Sequence, residues 1–327
     1  MKYWKRWIAV TLSLSVLFFV FLIFKTQELP SSPYRVSVEK NQNFSALAQK
    51  LERDGVIVSA TLMRLTASLT GADKTLKVGI YFFRAPVSIW SILRRISVGK
   101  PDQESVQIIE GWTYKKVRSN LRKEEDLKAV LTDLSESAAL KKLGIEAPNA
   151  EGQFLADTYF YAPGSSDEDV LRRSHAALKA ALEEAWASRD DDLPYKTPYE
   201  LLIMASLIEK ETALAEDRTK VASVFVNRLR LGMRLQTDPT IIYGMGERYN
   251  GKIRKADILR PTPYNTYTID GLPPTPIAMI SLASLEAAAN PDDTPYLYFV
   301  ARGDGSSQFS VTLNEHNNAV NKYIRGR

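Results

Sequence analysis

Two glutamates, Glu209 and Glu211, stand at the end of an apolar run, LLIMASLIEKET, in which nearly every other side chain is hydrophobic. A helix apolar around its whole circumference is a buried helix. A carboxyl carried into such surroundings loses hydration, which disfavours its charged form and raises its pKa. Held protonated near neutrality, it can donate a proton to a glycosidic oxygen. The same letters fit a plainer reading, in which both glutamates leave the helix end for solvent with Lys210 between them. Helical geometry does not choose between the two carboxyls. Glu211 shares a face with Met204, Leu207 and Ile208, Glu209 stacks over Leu202 and Ala205, and both faces are mainly apolar.

Several other chemistries are closed to this chain. It has no cysteine, which removes disulfides, thiol nucleophiles and thiolate metal sites together. His175 and His316 are its only histidines, so neither a His-rich zinc site nor a His-Glu-x-x-His pattern can be built, and no metal and no cofactor is expected. The net charge of +5 is spread along the chain, so no nucleic-acid partner is implied. A weakly basic body suits an anionic polymer or lipid headgroups equally well. With 327 residues, 45% of them apolar and 25% charged, the chain can bury an ordinary core.

The glutamate helix must be positioned by its neighbours. Thr197, Pro198 and Glu200 form a strong helix start: a capping hydroxyl, a proline suited to the first turn, and the acid of a capping box. Upstream, Val170 to Arg189 reads as a long helix, and the aromatic, Gly- and Pro-containing stretch Glu151 to Gly164 as a long loop whose rings either line a sugar site or fill core. Lys115 to Leu121 and Glu124 to Leu131 read as helices, and Val106 to Ile109 as a strand. Nearer the N-terminus, strands are expected at Tyr34 to Val38 and Gly79 to Phe83. Helices are expected at Asn43 to Arg53, Ser59 to Leu69 and Ser88 to Val98, closed by Gly55, Gly71 and Gly99. This order is similar to the sugar-binding LysM unit, and periodicity supports any compact α+β module equally.

Ile8 to Phe24 is an apolar run of 17 residues interrupted by Thr11, Ser13 and Ser15, preceded by Lys2, Lys5 and Arg6. As a helix it rises about 25 Å, the short end of what spans a bilayer. The charges place its N-terminus on the cytoplasmic side. A cleaved signal peptide has the same charge-then-apolar order. It fits less well, because the run ends in bulky Leu22-Ile23-Phe24 without a small-x-small site. The expectation is therefore an α+β protein with an N-terminal transmembrane helix, a small LysM-like module and a larger mixed catalytic domain. The boundaries are 1–26 for cytoplasmic tip and anchor, 27–33 for a Pro- and Ser-containing linker, 34–101 for the module and 102–327 for the catalytic domain.

From Ala205 to Tyr267 the sequence reads ASLIEKETALAEDRTKVASVFVNRLRLGMRLQTDPTIIYGMGERYNGKIRKADILRPTPYNTY. This block resembles the YceG-like endolytic murein transglycosylase family. The likeness continues through Gly271-Leu272-Pro273-Pro274, Tyr296-Leu297-Tyr298-Phe299-Val300 and Glu315-His316-Asn317, with Glu110-Gly111-Trp112 and Asp157-Thr158-Tyr159 upstream. It departs from the family pattern after Leu-Pro-Pro, where Thr275 stands in place of a common Gly, and before Asp157, where Ala156 replaces a frequent Pro.

The resemblance implies that the catalytic carboxyl is the one before a small hydroxyl residue, here the pair Glu211-Thr212, with Glu209 as second choice. It also implies a lytic reaction on peptidoglycan glycan strands, leaving 1,6-anhydro ends. A hydrolytic muramidase and a non-enzymatic wall-binding scaffold are the alternatives. Gln236, Asp238, Tyr243, Asn265 and Tyr267 are the residue types to hold N-acetyl groups and sugar hydroxyls, with Asp238 also suited to a developing oxocarbenium charge. The implied setting is the cell inner membrane in a single pass, with the catalytic body periplasmic and peptidoglycan synthases nearby.

Three motifs are set aside. Gly244-x-Gly246 with Gly251 lacks the spacing and the Lys-Ser pair of a phosphate loop, Arg302-Gly303-Asp304 is read as a loop between strands, and Asn43-Phe44-Ser45 as the start of a helix.

Overall fold

A computed structural model describes residues 2–38, 42–212 and 214–326, without the side chains of Lys2, Tyr3, Lys5, Arg6 and Ala9. The chain runs α1 (Lys2–Phe24), β1 (Tyr34–Val38), α2 (Phe44–Arg53), α3 (Ala60–Thr70), β2 (Gly79–Phe83), α4 (Ile89–Ser97), β3 (Glu104–Ile108), α5 (Tyr114–Leu121), α6 (Glu136–Leu143), β4 (Asp157–Tyr161) and α7 (Asp167–Ala187). It continues with α8 (Pro198–Glu211), α9 (Ala215–Arg230), α10 (Asp238–Met245), α11 (Lys255–Leu259), α12 (Leu282–Ala289), β5 (Tyr298–Ala301), β6 (Ser307–Ser310) and α13 (Leu313–Tyr323). The strands form three two-stranded sheets, β1–β2, β3–β4 and β5–β6. Two compact units result, one of residues 1–104 with 160–164, the other of 105–159 with 165–327.

In the first unit β1 and β2 pair antiparallel, Tyr34 opposite Phe83 and Val38 opposite Gly79, around α2 and α3. The punctuation is chemical. Asn43 caps α2 by accepting the Ser45 N–H at 2.9 Å, so the Asn-Phe-Ser triplet is a helix start. Ser59 caps α3, which ends at Gly71 in the left-handed region, φ 72°. Leu47, Leu51, Met63, Tyr81, Ile92 and Leu93 form its core.

The expectation fails at the first element. Among the described residues no helix is long and apolar enough to cross a membrane, which overturns the transmembrane helix, and with it the single-pass inner-membrane placement and its cytoplasmic-to-periplasmic orientation. The apolar run alone rises about 25 Å against a hydrocarbon core of about 30 Å. Hydroxyls interrupt it, Thr11 donating to Trp7 O at 2.8 Å and Ser15 to Thr11 O at 2.9 Å. The end of α1 packs inward instead, with Leu22 and Ile23 on the core of the first unit and Phe24 against Trp90 at 5.8 Å between ring centroids. The side chains of Lys2, Lys5 and Arg6, from which that orientation was read, lie outside the described residues.

Two further segments differ from expectation. Glu124 to Leu131 is not helical. Its apolar spacing buries Leu127 and Leu131, but the N–H groups of Val130, Leu131 and Thr132 turn to the carboxylate of Asp167 at 2.8–2.9 Å. Glu151 to Gly164 is not all loop, since β4 occupies Asp157–Tyr161. Three of its aromatics are buried, Phe154 against Tyr114 at 5.7 Å, Tyr159 and Tyr161, while Phe160 is exposed.

The second unit is organised around α8, of which Leu201 to Ile208 are all buried. It packs against α7, α9, α10 and α12. Thr197 accepts the Glu200 N–H at 3.2 Å, while the Glu200 carboxylate reaches Lys196 N rather than Thr197, so half of the expected capping box forms. Ser206, buried within the apolar helix, donates to Ile203 O at 2.7 Å and accepts from Ile277 N at 3.1 Å, tying 276–280 to α8. Gly152 packs on that segment: φ is +73° and an added Cβ would lie 2.4 Å from Pro276 Cβ. Gly244 lies inside α10, where a Cβ would meet Thr262 Oγ1 at 2.8 Å, so close packing explains this glycine without any phosphate.

Candidate active site

At the end of α8 three consecutive side chains part in three directions. Glu209 Oε2 accepts from Ser281 N at 2.9 Å and Ser281 Oγ at 2.6 Å, at the N-cap of α12. Lys210 Nζ donates to Gly111 O at 3.1 Å. Glu211 faces a cavity of about 400 Å³ that it shares with Arg228, Gln236, Asp238, Tyr267, Tyr298 and His316. Glu209 is therefore a strut between helices, and Glu211 is the carboxyl open to a ligand.

Burial pushes the Glu211 carboxyl up to about 7, and the Asp238 charge adds to this; a hydrogen bond from Thr237 and the Arg228 charge pull the other way. Thr237 stands at the N-cap of α10 but makes no cap bond, its hydroxyl donating to Glu211 Oε1 instead. Behind it, Thr237 N–H donates to Thr266 Oγ1 at 3.0 Å, and Thr240 and Thr266 hydroxyls meet at 2.8 Å. Glu211 thus rests on a fixed hydroxyl at the floor of an open pocket, near half-ionised at neutral pH. Such a group can give up a proton and take one back at little cost.

Arg228 is buried, 8% exposed. It is held by carbonyls, Nε to Leu297 O at 2.7 Å and Nη1 to Leu235 O at 2.8 Å, with its guanidinium over the Tyr298 ring at 5.2 Å. His316 stacks on the same Tyr298 ring at 5.2 Å and 24°, and its buried Nδ1 has no hydrogen-bond partner among the described residues. Burial, with the Arg228 charge, keeps this imidazole below its ordinary pKa.

Because Arg228 favours the Glu211 carboxylate, Arg228→Gln is expected to raise the Glu211 pKa further. A general acid at Glu211 has to be protonated, so activity that depends on it is expected to fall as pH rises through about 7 in the unaltered chain. In Arg228→Gln that fall moves to higher pH while the maximal rate drops about tenfold, because the carboxylate formed on proton donation loses its counter-charge. Arg228→Lys, which keeps the charge, retains the original limb. A pH–rate profile taken beside thermal melts checks this; an unmoved limb in a folded Arg228→Gln protein refutes it.

Of the five residues named from sequence as substrate contacts, three line the Glu211 cavity: Gln236, Asp238 and Tyr267. Gln236 has φ +51°, the sole non-glycine with positive φ among the described residues. Strain of this kind persists where neighbouring structure over-determines it, and it concentrates at functional sites. Tyr267 donates to Asp238 Oδ1 at 2.7 Å, and burial with this bond raises the phenol pKa. Asn265 does not reach the cavity. It is 1% exposed, its Nδ2 donates to the carbonyls of Asp257, Ile258 and Arg260, and its Oδ1 accepts from Tyr267 N. It staples the loop that presents Tyr267. Tyr243 lines a different cavity, with its hydroxyl 3.3 Å from Glu151 Oε2 and its ring 4.7 Å from that of Tyr264.

Sequence reasoning missed Thr237 and Arg228 as site residues. Thr237 stood between two residues that were named, Gln236 and Asp238. Arg228 was, by its letter alone, one surface charge among many. His316 and Tyr298 lay in stretches of family likeness but carried no assigned role.

The YceG-like family model matches residues 36–322. The endolytic murein transglycosylase of Bacillus subtilis (strain 168) is 31% identical over 311 residues, covering 89% of this chain and 85% of that protein. The endolytic murein transglycosylase of Streptococcus pneumoniae serotype 2 (strain D39) is 26% identical over 326 residues, covering 89% of this chain and 58% of the longer relative. A yceG-like protein of Listeria monocytogenes, whose crystal structure was solved at 2.6 Å, is 30% identical with a TM-score of 0.55, covering 88% of this chain and 99% of the solved one. A match that takes in both units and every residue around Glu211 means that this chain belongs to the YceG-like family.

Proposed function

We propose that this protein is a lytic transglycosylase that cleaves peptidoglycan strands between N-acetylmuramic acid and N-acetylglucosamine. The observation that carries the reading is Glu211: a carboxyl at the end of a buried helix, hydrogen-bonded by Thr237, open to a cavity and pushed up to about 7 by burial. Protonated Glu211 gives its proton to the oxygen leaving the muramic acid C1, and that C–O bond breaks. The resulting carboxylate, supported by Thr237 and Arg228, accepts the proton of the same sugar's 6-hydroxyl as its oxygen closes on C1. A 1,6-anhydro end forms and Glu211 is protonated again, so no water is consumed. Keeping nucleophile and electrophile in one sugar lowers the barrier by proximity. Gln236 and Tyr267 are the groups for sugar hydroxyls and N-acetyl oxygens, and Asp238 is the charge for the developing oxocarbenium ion. The strand–helix–helix–strand order of residues 34–101 supports a LysM-like glycan-binding module beside a catalytic domain of residues 102–327.

Asp238 also favours a second reading. A carboxylate in the same cavity can activate water, which makes the enzyme a hydrolytic muramidase. Mass spectrometry of products from peptidoglycan separates the two. Internal cuts bearing 1,6-anhydro ends are the expected result, reducing ends establish hydrolysis, and intact strands refute both.

A further inference from the structure

The second unit holds another cavity, of about 770 Å³, that the reaction above does not use. Its floor is Glu151 and Tyr243. Glu151 is 6% exposed; Oε1 accepts the Tyr114 N–H at 2.9 Å, and Oε2 lies 3.3 Å from the Tyr243 hydroxyl. Its rim carries four cations from α5 and the turn after it, Lys115, Arg118, Arg122 and Lys123. Glu136 is the other carboxyl in the lining, and it is engaged by Ala150 N–H at 2.7 Å. Burial holds Glu151 at about 7, so the lining is cationic on balance near neutrality. Arg118 and Arg122 are in part structural, donating to Thr132 O. Lys115 and Lys123 are exposed, the former paired with Glu247 across the surface.

The two cavities are joined by one short helix. Asp238, at the start of α10, lines the Glu211 cavity, and Tyr243, five residues on, lines the other. Along a helix axis five residues span about 7.5 Å. The two cavities therefore share α10 as a common wall. Peptidoglycan strands carry short peptide branches rich in carboxylates, and a cationic rim around a polar floor suits such a branch.

We infer that this further cavity is a distal subsite for the carboxylate-bearing peptide branch of the strand being cut, with Lys115 and Lys123 facing its carboxylates and Tyr243 and Glu151 its amides. The inference rests on peptidoglycan being the substrate, and it assigns a means of choosing where along a strand the cut falls.

The test is binding of free stem peptide to the full chain, by calorimetry. Free peptide has no glycosidic bond, so its binding does not depend on Glu211. The unaltered chain is expected to bind it, and the double variant Lys115→Glu/Lys123→Glu to bind about five- to tenfold more weakly with an unchanged melting temperature. No peptide binding, equal affinity in the two proteins, or full displacement of peptide by inorganic phosphate at millimolar concentration overturns the inference. A chain that binds peptide with this charge dependence yet leaves strands intact keeps the subsite and rejects the proposed reaction.

Discussion

Glu211→Gln is expected to slow strand cleavage by about 10²–10⁴-fold while leaving the fold and strand binding in place. A thousandfold loss corresponds to about 4 kcal/mol of transition-state stabilisation. The amide has nearly the shape of the carboxyl and still accepts from Thr237, so packing at the end of α8 survives. It cannot deliver a proton, and it cannot recover one. Glu209→Gln is the matched control two residues away. It weakens the acceptor at Ser281 and should cost about 1–2 kcal/mol of stability, with turnover per folded molecule unchanged within a few-fold. Single-turnover cleavage beside urea melts reads both effects. A fully active Glu211→Gln protein, or equal rate losses in the two variants, removes Glu211 from the proposed role.

Asp167→Ala is expected to destabilise the second unit by about 3–5 kcal/mol. Asp167 is 1% exposed at the first turn of α7, where the helix N-terminus favours a negative charge. Its Oδ1 accepts from Val130 N at 2.8 Å and Leu131 N at 2.9 Å, and its Oδ2 from Thr132 N at 2.8 Å. Alanine leaves three donors without an acceptor, two of them buried, in a segment with no helix of its own to fall back on. Asp167→Asn keeps one carbonyl oxygen and turns an NH₂ toward a donor, so its loss should be intermediate. Urea denaturation followed by tryptophan fluorescence measures the series; a loss below about 1 kcal/mol for Asp167→Ala would mean that segment 124–132 is held by its apolar contacts alone.

The same segment shows where sequence reasoning stops. Glu124 to Leu131 has the apolar spacing of a helix, and Leu127 and Leu131 are indeed buried, but spacing reports which residues go inward rather than what the backbone does. A carboxylate about 36 residues further along captured the N–H groups that a helix would have used. β4 went unseen for the converse reason. Its alternation is short and sits among Gly, Pro and aromatics, and the partner that makes Asp157–Tyr161 a strand is β3, far upstream. The start of α1 was read from hydropathy in one dimension. Its final turn packs on α4 through Phe24 and Trp90, a contact that hydropathy does not encode.

What the sequence determined by itself was local. The starts of α2, α3 and α8 follow from Asn43, Ser59 and Thr197-Pro198, and the stop of α3 from Gly71, because caps and left-handed glycines act within one turn of the residue that makes them. The burial of α8 was legible for the same reason, since a helix apolar on every side has no face for water. Residue spacing left the two glutamates equivalent and the family likeness favoured Glu211, while their different surroundings were set only by tertiary structure. Glu209 and Glu211 carry the same group on similar faces, and they differ in what arrives from elsewhere in the chain: the N-cap serine of α12 for one, the hydroxyl of Thr237 and an open cavity for the other. A pKa depends on burial and nearby charge in three dimensions, so no spacing along the chain could have assigned it.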